Sequence, residues 1–291
     1  MKTIAIYHHK GGVGKTTVAV NLAAVLRKRG KRILLVDIDA QANSTFATGL
    51  IKFEFEQEDD LKTCNVYHLL ENTHLIFVEN VVKPSNCFNQ PEIDVVPSHI
   101  TLISQQPNLT RFASTAIRLA RKLDKVTEQY DFVIIDTPPS LDLYAQASLT
   151  AADYLIIPSD LKPFSNQGLS SVGEFVNTII NENREGLGKE PLNILGVLPS
   201  KISPNPMYLK HTFPKHQLAI TEVYNFPLME TVILERTALS KCINQTILMG
   251  DLEIPAPQSI LDYALKAPQE AKASALEFEQ LADEVLSKIE V

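Results

Sequence analysis

The sequence predicts an α/β fold, in which a doubly wound and mostly parallel sheet is covered by helices on both faces. Two observations lead to this prediction. Short runs rich in β-branched residues alternate along the chain with longer segments whose apolar residues recur at helical spacing. The short runs are apolar at almost every position, which is typical of parallel strands that are buried on both faces of a sheet.

The alternation assigns each element in order along the chain. The expected strands cover residues 3–7, 32–39, 93–98, 131–140, 153–160 and 193–200, with one more within 224–232. Helices are expected over about 16–30, 112–129, 168–183 and 268–289. Gly30 follows the first helical pattern and is its expected stop. One domain over residues 1–291 accounts for all these elements, and the start at the first strand predicts no N-terminal helix-turn-helix extension.

Composition narrows the classes of function. The net charge of −7 excludes a uniformly basic nucleic-acid-binding protein, although it is compatible with a local basic surface. No apolar run reaches the roughly 18 residues of a membrane helix, and the first residues lack the pattern of a signal peptide. Cys64, Cys87 and Cys242 are widely spaced and form no CxxC pair, so neither a metal site nor a disulfide framework is predicted. A reducing cytoplasm is the expected compartment.

A glycine-rich stretch, KGGVGKTT, lies between the first predicted strand and the first predicted helix. This context indicates a phosphate-binding loop, because glycines let backbone N–H groups wrap an anion and the helix start adds its positive dipole end. Lys15 is expected to reach the β- and γ-phosphates, and Thr16 to place its hydroxyl on Mg²⁺. An ordinary glycine-rich turn is the alternative. The predicted nucleotide-binding residues are Lys10, Gly11, Gly12, Val13, Gly14, Lys15, Thr16 and Thr17.

Three aspartates stand at the ends of predicted strands. Asp37 and Asp39 are two residues apart, so both are expected on one face and at the carboxyl edge of the sheet, where open α/β folds bind ligands. Asp136 ends the apolar strand FVIID, a pattern that delivers one carboxylate to Mg²⁺. Capping, solvated or purely structural aspartates are the alternatives. The predicted metal-side residues are Thr16, Asp37 and Asp136.

The loop departs from the strict pattern GxxxxGK[ST], because His9 stands where the first glycine would be. It resembles instead the deviant Walker A motif of the ParA/MinD group of P-loop ATPases, in which an early lysine is the signature residue. The resemblance implies that Lys10 crosses a dimer interface and contacts the phosphates bound by the partner subunit. A solvated loop lysine is the alternative that the residues alone leave open.

Two further motifs support the resemblance. The stretch DIDAQAN resembles a family motif that is usually closer to DxDPQGN, which implies that Asp39 positions the attacking water and that Asp37 supports the metal side. Ala40 replaces the usual proline of that motif and Ala42 the usual glycine. The stretch FVIIDTPPS resembles the family's Walker B strand and the switch segment after it, which implies that Thr137 and the two prolines sense the γ-phosphate.

The similarity extends over most of the chain and is greatest to the short, Soj-like class of ParA partition ATPases. It implies ATP and Mg²⁺ as cofactors, slow and partner-stimulated hydrolysis, and a sandwich homodimer that forms on ATP binding. The implied partners are non-specific DNA and a ParB-like or adaptor protein, without stable membrane association, and the implied location is the cytoplasm, on the nucleoid when ATP is bound. The cargo is left open between plasmid, chromosome and protein assembly. The implied catalytic residues are Lys10, Lys15 and Asp39.

The DNA-contacting residues follow less directly from the resemblance. Family members often carry PRNVRLSEA where this chain has LERTALSKC, and the two arginines of that pattern fall at Glu235 and Ala238. Nearby basic residues can substitute for them, and lysines on a surface that follows phosphates would bind DNA in a salt-sensitive manner without sequence preference. A solvated polar face is the alternative. The expected DNA contacts are Lys201, Lys210, Lys215, Arg236 and Lys241.

Three other functions are alternatives to DNA partition, and each predicts a different sequence feature. A MinD-like, membrane-cycling regulator of cell division predicts a basic amphipathic C-terminal helix, whereas the closing segment places acidic residues opposite its apolar stripe, which favours packing against the core. A reductase-type or metal-cluster carrier ATPase predicts paired cysteines, which the sequence lacks. A scaffold that binds ATP but barely hydrolyses it is disfavoured by the intact lysine and aspartates. The acidic residues of the closing segment are Glu277, Glu279, Asp283, Glu284 and Glu290.

Overall fold

The structure of this protein is a computed structural model that describes residues 1–50, 59–71, 76–112, 114–249, 252–266 and 269–289. The strands are short, and those at the centre of the sheet are buried along most of their length, as the apolar runs of the sequence predict. They are β1 (Lys2–Ile6), β2 (Ile33–Asp37), β3 (Lys83–Pro84), β4 (Asp94–Val96), β5 (Phe132–Asp136), β6 (Tyr154–Ser159), β7 (Asn193–Pro199), β8 (Thr246–Met249) and β9 (Leu252–Pro255).

Seven of these strands form one sheet in the order β3-β4-β2-β5-β1-β6-β7. All neighbouring pairs are parallel except β3 and β4, which are antiparallel at the edge. The predicted fold class, a doubly wound and mostly parallel sheet, is therefore confirmed. The two remaining strands, β8 and β9, form a separate antiparallel hairpin that the sequence did not indicate.

Helices connect the parallel strands and cover both faces of the sheet. They are α1 (Lys15–Lys28), α2 (Asn43–Ala47), α3 (Tyr67–Leu70), α4 (Leu102–Leu109), α5 (Thr115–Leu123), α6 (Leu143–Ala151), α7 (Pro163–Phe175), α8 (Asn181–Glu185), α9 (Pro206–His211), α10 (Phe213–Glu222), α11 (Thr237–Ile243), α12 (Ile260–Ala264) and α13 (Gln269–Lys288). Short 3₁₀ turns lie at Asp60–Thr63, Val78–Asn80 and Asp124–Val126, and a π turn at Val176–Ile180 joins α7 to α8.

Alternate residues of each central strand enter different halves of the core. In β2, Ile33 and Leu35 pack with α1 and α13, whereas Leu34 and Val36 pack with α3 to α6 on the opposite face. This follows from the two-residue period of a strand. Because helices cover both faces, a ligand can reach the sheet only at its edges. The loops after β1, β2 and β5 lie together at the carboxyl edge.

Two predicted helices differ in their bounds. The helix expected over 168–183 begins at Pro163, because a proline at the first helical position has its φ already set for a helix. It then passes through the π turn and ends with α8. The helix expected over 112–129 is shorter than predicted, and it is α5 followed by a 3₁₀ turn.

The strand expected within 224–232 is wrong. The backbone there makes only an isolated parallel bridge between Val197 and Leu228. The N–H of Val197 donates to the carbonyl of Pro227 at 2.8 Å, and the N–H of Met229 donates to the carbonyl of Val197 at 2.9 Å. Pro227 has no N–H of its own, so a regular ladder cannot extend through it.

The closing helix α13 packs against the core, as its apolar stripe predicts. Phe278, Leu281 and Val285 are fully buried. None of the helices in the described part of the chain is long and apolar enough to cross a bilayer. The acidic face of α13 is not simply solvated, because Arg29 at the end of α1 forms ion pairs of 2.6 Å with both Glu279 and Asp283.

Candidate nucleotide site

The glycine-rich loop lies between β1 and α1 and turns on two left-handed glycines. Gly12 has φ of 76° and Gly14, the N-cap of α1, has φ of 93°, and both values favour glycine. A Cβ on Gly14 would lie 3.2 Å from the hydroxyl oxygen of Ser200, and that hydroxyl donates to the carbonyl of Val13. The end of β7 therefore holds the loop closed from the side, a contact the sequence did not indicate.

Lys15 starts α1 and turns its side chain back into the loop. The amine donates to the carbonyl of Lys10 at 3.1 Å, and the residue is only 7% exposed. Burial lowers the pKa of Lys15, whereas the carboxylates of Asp136 and Asp39 act in the opposite direction. A buried ammonium with one carbonyl partner retains donors for an anion inside the loop.

Asp39 lies just beyond β2 and faces the same pocket. Its carboxylate accepts from the backbone N–H of Gln41 at 3.0 Å, and burial raises the pKa of Asp39. Ser98, at the end of β4, donates from its hydroxyl to the carbonyl of Asp39 at 2.6 Å. The position of Asp39 is thus fixed by a neighbouring strand, and nothing in the sequence singled out Ser98 for this role.

Asp37, the last residue of β2, is fully buried and satisfied by the protein itself. One carboxylate oxygen accepts from the N–H of Asp39 at 3.2 Å, and the other accepts from the N–H and the hydroxyl of Thr45 at 2.8 and 2.7 Å. Burial, and then the nearby Asp136, raise the pKa of Asp37 well above its ordinary range. These contacts anchor the loop after β2 to α2, and a metal-side role for Asp37 stays a prediction.

Asp136 ends β5 directly beside Asp37, because the two residues are register partners on neighbouring strands. One of its oxygens accepts from the hydroxyls of Thr16 and Ser44, each at 2.7 Å. Its other oxygen is buried and has no hydrogen-bond partner. Burial raises the pKa of Asp136 to about 6, although the two hydroxyls lower it. An unpartnered buried carboxylate oxygen is costly, so this atom is suited to bind a cation.

The loop after β2 carries backbone strain at one departure from the family motif. Ala42 has φ of 52° and ψ of 34°, in the left-handed region, where the motif usually has glycine. An alanine there costs about 1–2 kcal/mol relative to ordinary backbone. The chain tolerates it at the entrance to α2, where the N–H of Ala42 donates to the carbonyl of Asp39 at 2.8 Å.

We expect Ala42→Gly to raise the free energy of unfolding by about 0.5–1 kcal/mol, because the strain exceeds the entropy that glycine loses on folding. Urea denaturation followed by circular dichroism measures the change. Ala40→Gly is the matched control, since Ala40 has ordinary backbone and should lose stability instead. Equal responses of the two variants would contradict the role of strain at Ala42.

Lys10 points away from Lys15. Its backbone N–H donates to the imidazole of His8 at 3.0 Å, whereas its amine donates to the hydroxyl of Ser165 at 2.6 Å and lies 3.7 Å from Asp160. The amines of the two loop lysines therefore have different partners. The amine of Lys15 lies inside the loop, and the amine of Lys10 lies at the start of α7.

A pocket of about 540 Å³ opens over the loop. Its loop side includes Lys15 and Thr16, and its carboxylate side includes Asp39. The opposite wall is formed by the segment before α11 and by α11 itself, which the sequence did not mark as part of a ligand site. This wall consists of Ile233, Glu235, Arg236, Leu239, Ser240, Ile243 and Asn244.

The residues expected to contact DNA are divided between two regions. Lys201 and Arg236 line the nucleotide pocket, where Lys201 lies 3.9 Å from Glu235 and Arg236 lies 2.7 Å from Glu277 of α13. The Arg236 pair is largely buried, so this guanidinium is engaged in holding the pocket wall. Three more of these side chains are exposed on α9, α10 and α11: Lys210, Lys215 and Lys241. DNA contact stays a prediction for all five residues.

The residues present fit a nucleotide with a divalent cation. A Cβ added to Gly11 or Gly12 meets nothing within 4 Å, so the loop has open space on its concave side. Within the described ranges no group of three or more His, Cys, Asp or Glu side chains could hold a metal alone. A Mg²⁺ ion here would take the unpartnered oxygen of Asp136 and the hydroxyl of Thr16, with phosphate and water completing its shell.

Comparison with known proteins places this geometry in context. The family model described as "AAA domain" matches residues 1–189. The sporulation initiation inhibitor protein Soj of Bacillus subtilis (strain 168) is 40% identical over 178 residues, a match that spans 61% of this chain and 64% of Soj, less than two thirds of that protein. The virulence plasmid ParA family protein pGP5-D of Chlamydia psittaci is 34% identical over 201 residues, or 68% of each chain.

A solved structure shares the whole fold. The ATP complex of an aspartate-to-alanine variant of McdA from Cyanothece superposes with a TM-score of 0.75 at 25% identity, covering 98% of this chain and 96% of the other. The similarity therefore extends beyond the residues that the family model matches and includes the closing helix.

Proposed function

We propose that this chain, which belongs to the ParA family of P-loop ATPases, hydrolyses ATP to position a cargo. In this proposal ATP and Mg²⁺ bind the loop, two copies of the chain form a sandwich dimer, and the dimer binds DNA without sequence preference. A ParB-like or adaptor protein stimulates slow hydrolysis and releases the dimer. The cargo is a plasmid, a chromosome or a protein assembly, and the protein is cytoplasmic and associates with the nucleoid when ATP is bound.

One observation carries the proposal beyond generic ATP binding. The amine of Lys15 is buried inside the loop, whereas the amine of Lys10 leaves the loop and reaches α7. Lys10 thus does not serve the same phosphates as Lys15 in this arrangement, and its amine is partly exposed. A second loop cation that is not engaged with the subunit's own phosphates is what a dimer with nucleotide between its subunits requires, because each subunit must offset the charge of the other's phosphates.

The chemistry proposed for the site uses few groups. Lys15 and the loop N–H groups stabilise negative charge on the transferred phosphoryl group, and Lys10 of the second copy adds a further cation. Asp39 accepts a hydrogen bond from the attacking water and orients it in line. Mg²⁺, held by Thr16 and Asp136, would neutralise phosphate charge. No covalent intermediate is required.

The pocket wall gives the nucleotide its second anchor in this proposal. Ile233, Leu239 and Ile243 offer apolar side chains against which a base can stack, and Ser240 and Asn244 offer polar groups at its edge. The wall is held by α13, since Glu277 pairs with Arg236 and also accepts from a neighbouring backbone N–H. The closing helix therefore supports the nucleotide site from behind.

The proposal is tested by titrating non-specific duplex DNA with the Asp39→Ala protein, which should retain ATP. We expect binding with ATP and Mg²⁺ but not with ADP, and a loss of affinity of at least about tenfold between roughly 50 and 200 mM salt. Fluorescence anisotropy of a labelled duplex measures both. Binding that is equal with ADP and ATP, or absent at low salt, would contradict DNA binding as the function of the ATP state.

A matched pair of variants locates the surface. Lys210→Ala with Lys215→Ala should weaken DNA binding and reduce its salt dependence, because two phosphate contacts are lost. Lys189→Ala, in an ion pair with Asp124, is the control and should bind DNA as the parent does.

A further inference from the structure

The start of α7 provides a complete set of partners for the Lys10 amine. The amine donates to the hydroxyl of Ser165 at 2.6 Å, lies 3.7 Å from a carboxylate oxygen of Asp160, and lies 4.9 Å from the ring centroid of Phe164. The Ser165 hydroxyl in turn donates to the other oxygen of Asp160. Hydrogen bond, ion pair and cation–π contact therefore converge on one ammonium group.

This set of partners is preformed by the backbone. The Ser165 N–H donates to the carbonyl of Lys162 at 2.9 Å, and the Lys162 N–H donates to Asp160 at 3.2 Å, so a tight turn fixes the acid and the hydroxyl together. Ser165 is fully buried, and Asp160 has 16% of its side chain exposed. One turn later, Gly168 lets the loop approach, since a Cβ there would lie 2.3 Å from the ring of His9.

Phosphate groups and Asp160 compete for the same cation. A lysine has one ammonium, so in the proposed dimer the Lys10 amine has to leave Ser165 before it can contact phosphates on another subunit. When Lys10 leaves, Asp160 keeps an ion-pair partner, because the exposed amine of Lys162 also lies 3.7 Å from it. Release of Lys10 therefore removes one of the two ion pairs of Asp160, which lowers the cost of moving Lys10 to the phosphates.

We propose that Asp160 and Ser165 are positioning residues that hold Lys10 within its own subunit and thereby set the ATP concentration at which two copies of the chain dimerise. This inference rests on the proposed function, since it takes the trans role of Lys10 as its starting point. The holding site opposes dimerisation, and phosphates presented by a second copy withdraw Lys10 from it.

The first measurement uses the nucleotide-free full-length protein and does not depend on dimerisation. An amine-acylating reagent is applied, and the modification rate of each lysine is read by mass spectrometry. We expect Lys10 to react about three- to fivefold faster in Asp160→Asn and in Ser165→Ala than in the parent, as loss of a partly exposed pair predicts. Asp124→Asn is the matched control, because its partner Lys189 has 23% exposure against 24% for Lys10. An unchanged Lys10 rate in both variants would overturn the holding site.

The second measurement is the ATP-dependent dimer dissociation constant in the Asp39→Ala background, by sedimentation or light scattering. Asp160→Asn and Ser165→Ala should both lower it by about three- to fivefold. Ser165→Ala changes no charge, so a shift confined to Asp160→Asn would reveal general electrostatics and overturn the inference, as would weaker dimerisation in either variant. If the Asp39→Ala protein does not dimerise with ATP at all, the proposed function itself fails. Circular dichroism confirms that each variant is folded.

Discussion

Lys15→Ala is expected to abolish ATP binding, with a loss of affinity of at least about a hundredfold. The residue is the one loop lysine whose amine is buried inside the nucleotide pocket, and charge-assisted hydrogen bonds to phosphates are worth about 1.5–3 kcal/mol each. Two such contacts correspond to about two to four orders of magnitude in affinity. Isothermal titration calorimetry with ATP and Mg²⁺ measures the loss directly.

Lys10→Ala is the matched control for this prediction. It removes a lysine from the same loop, but from the surface that faces α7, so the variant should bind ATP as a monomer with nearly parental affinity. Unchanged ATP affinity in Lys15→Ala would show that the loop does not bind phosphates. Loss of affinity in both variants would show that the two amines act on one nucleotide and would remove the trans role of Lys10.

The second large effect is expected for Asp39→Ala, which should lower the rate of ATP hydrolysis by about a hundredfold or more while ATP binding persists. Asp39 lines the pocket, and a group that orients or activates the attacking water contributes typically about 10²–10⁴ in rate. The Asp39 side chain makes no contact that holds β2, so the fold should survive. Phosphate release under single-turnover conditions gives the rate, and filter binding gives ATP retention.

Asp37→Asn separates this chemical role from a structural one. Asp37 lies two residues earlier and accepts three hydrogen bonds that anchor the loop after β2. Its substitution should lower the free energy of unfolding and reduce turnover only in proportion to the folded fraction. Parental turnover in Asp39→Ala would place the water elsewhere, and a selective loss of turnover in folded Asp37→Asn would support the metal-side role predicted for that residue.

The positions of the loop and the carboxylates could be predicted because they depend on local order along the chain. Glycines between a strand and a helix place N–H groups at the helix start, and parallel strands bring their last residues to one edge of the sheet. Asp37 and Asp136 therefore meet as register partners although they are 99 residues apart. The prediction of a strand within 224–232 also relied on local pattern, and it was wrong. The apolar residues suggested a strand, whereas Pro227 prevents a regular ladder there.

The partners of these residues could not be predicted, because each one joins segments that are far apart and carries no local pattern. Ser44 and Ser98 are ordinary serines until the fold places them on Asp136 and on the carbonyl of Asp39. Arg236 was expected to contact DNA, since a basic residue near the family's arginines suggests that role. The fold brings Glu277 of α13 to within 2.7 Å of it, a pair that supports the pocket wall and that no local pattern indicates.

The sequence by itself determined the class of the protein: an α/β sheet, a phosphate loop with two lysines, and carboxylates at the ends of the second and fourth predicted strands. Those features are periodic or contiguous, so they are readable without three-dimensional information. Only the tertiary structure decided where the amines of the two lysines lie. It also decided that the carboxylate of Asp37 is fully hydrogen-bonded, whereas one oxygen of Asp136 has no partner. The amine of Lys10 is drawn to Ser165, 155 residues away, because the sheet places β6 and the start of α7 beside the loop after β1. Long-range packing, which no local pattern indicates, thus separates the two lysines. Lys15 faces the nucleotide of its own subunit, and Lys10 is the cation that we propose for the nucleotide of the partner subunit.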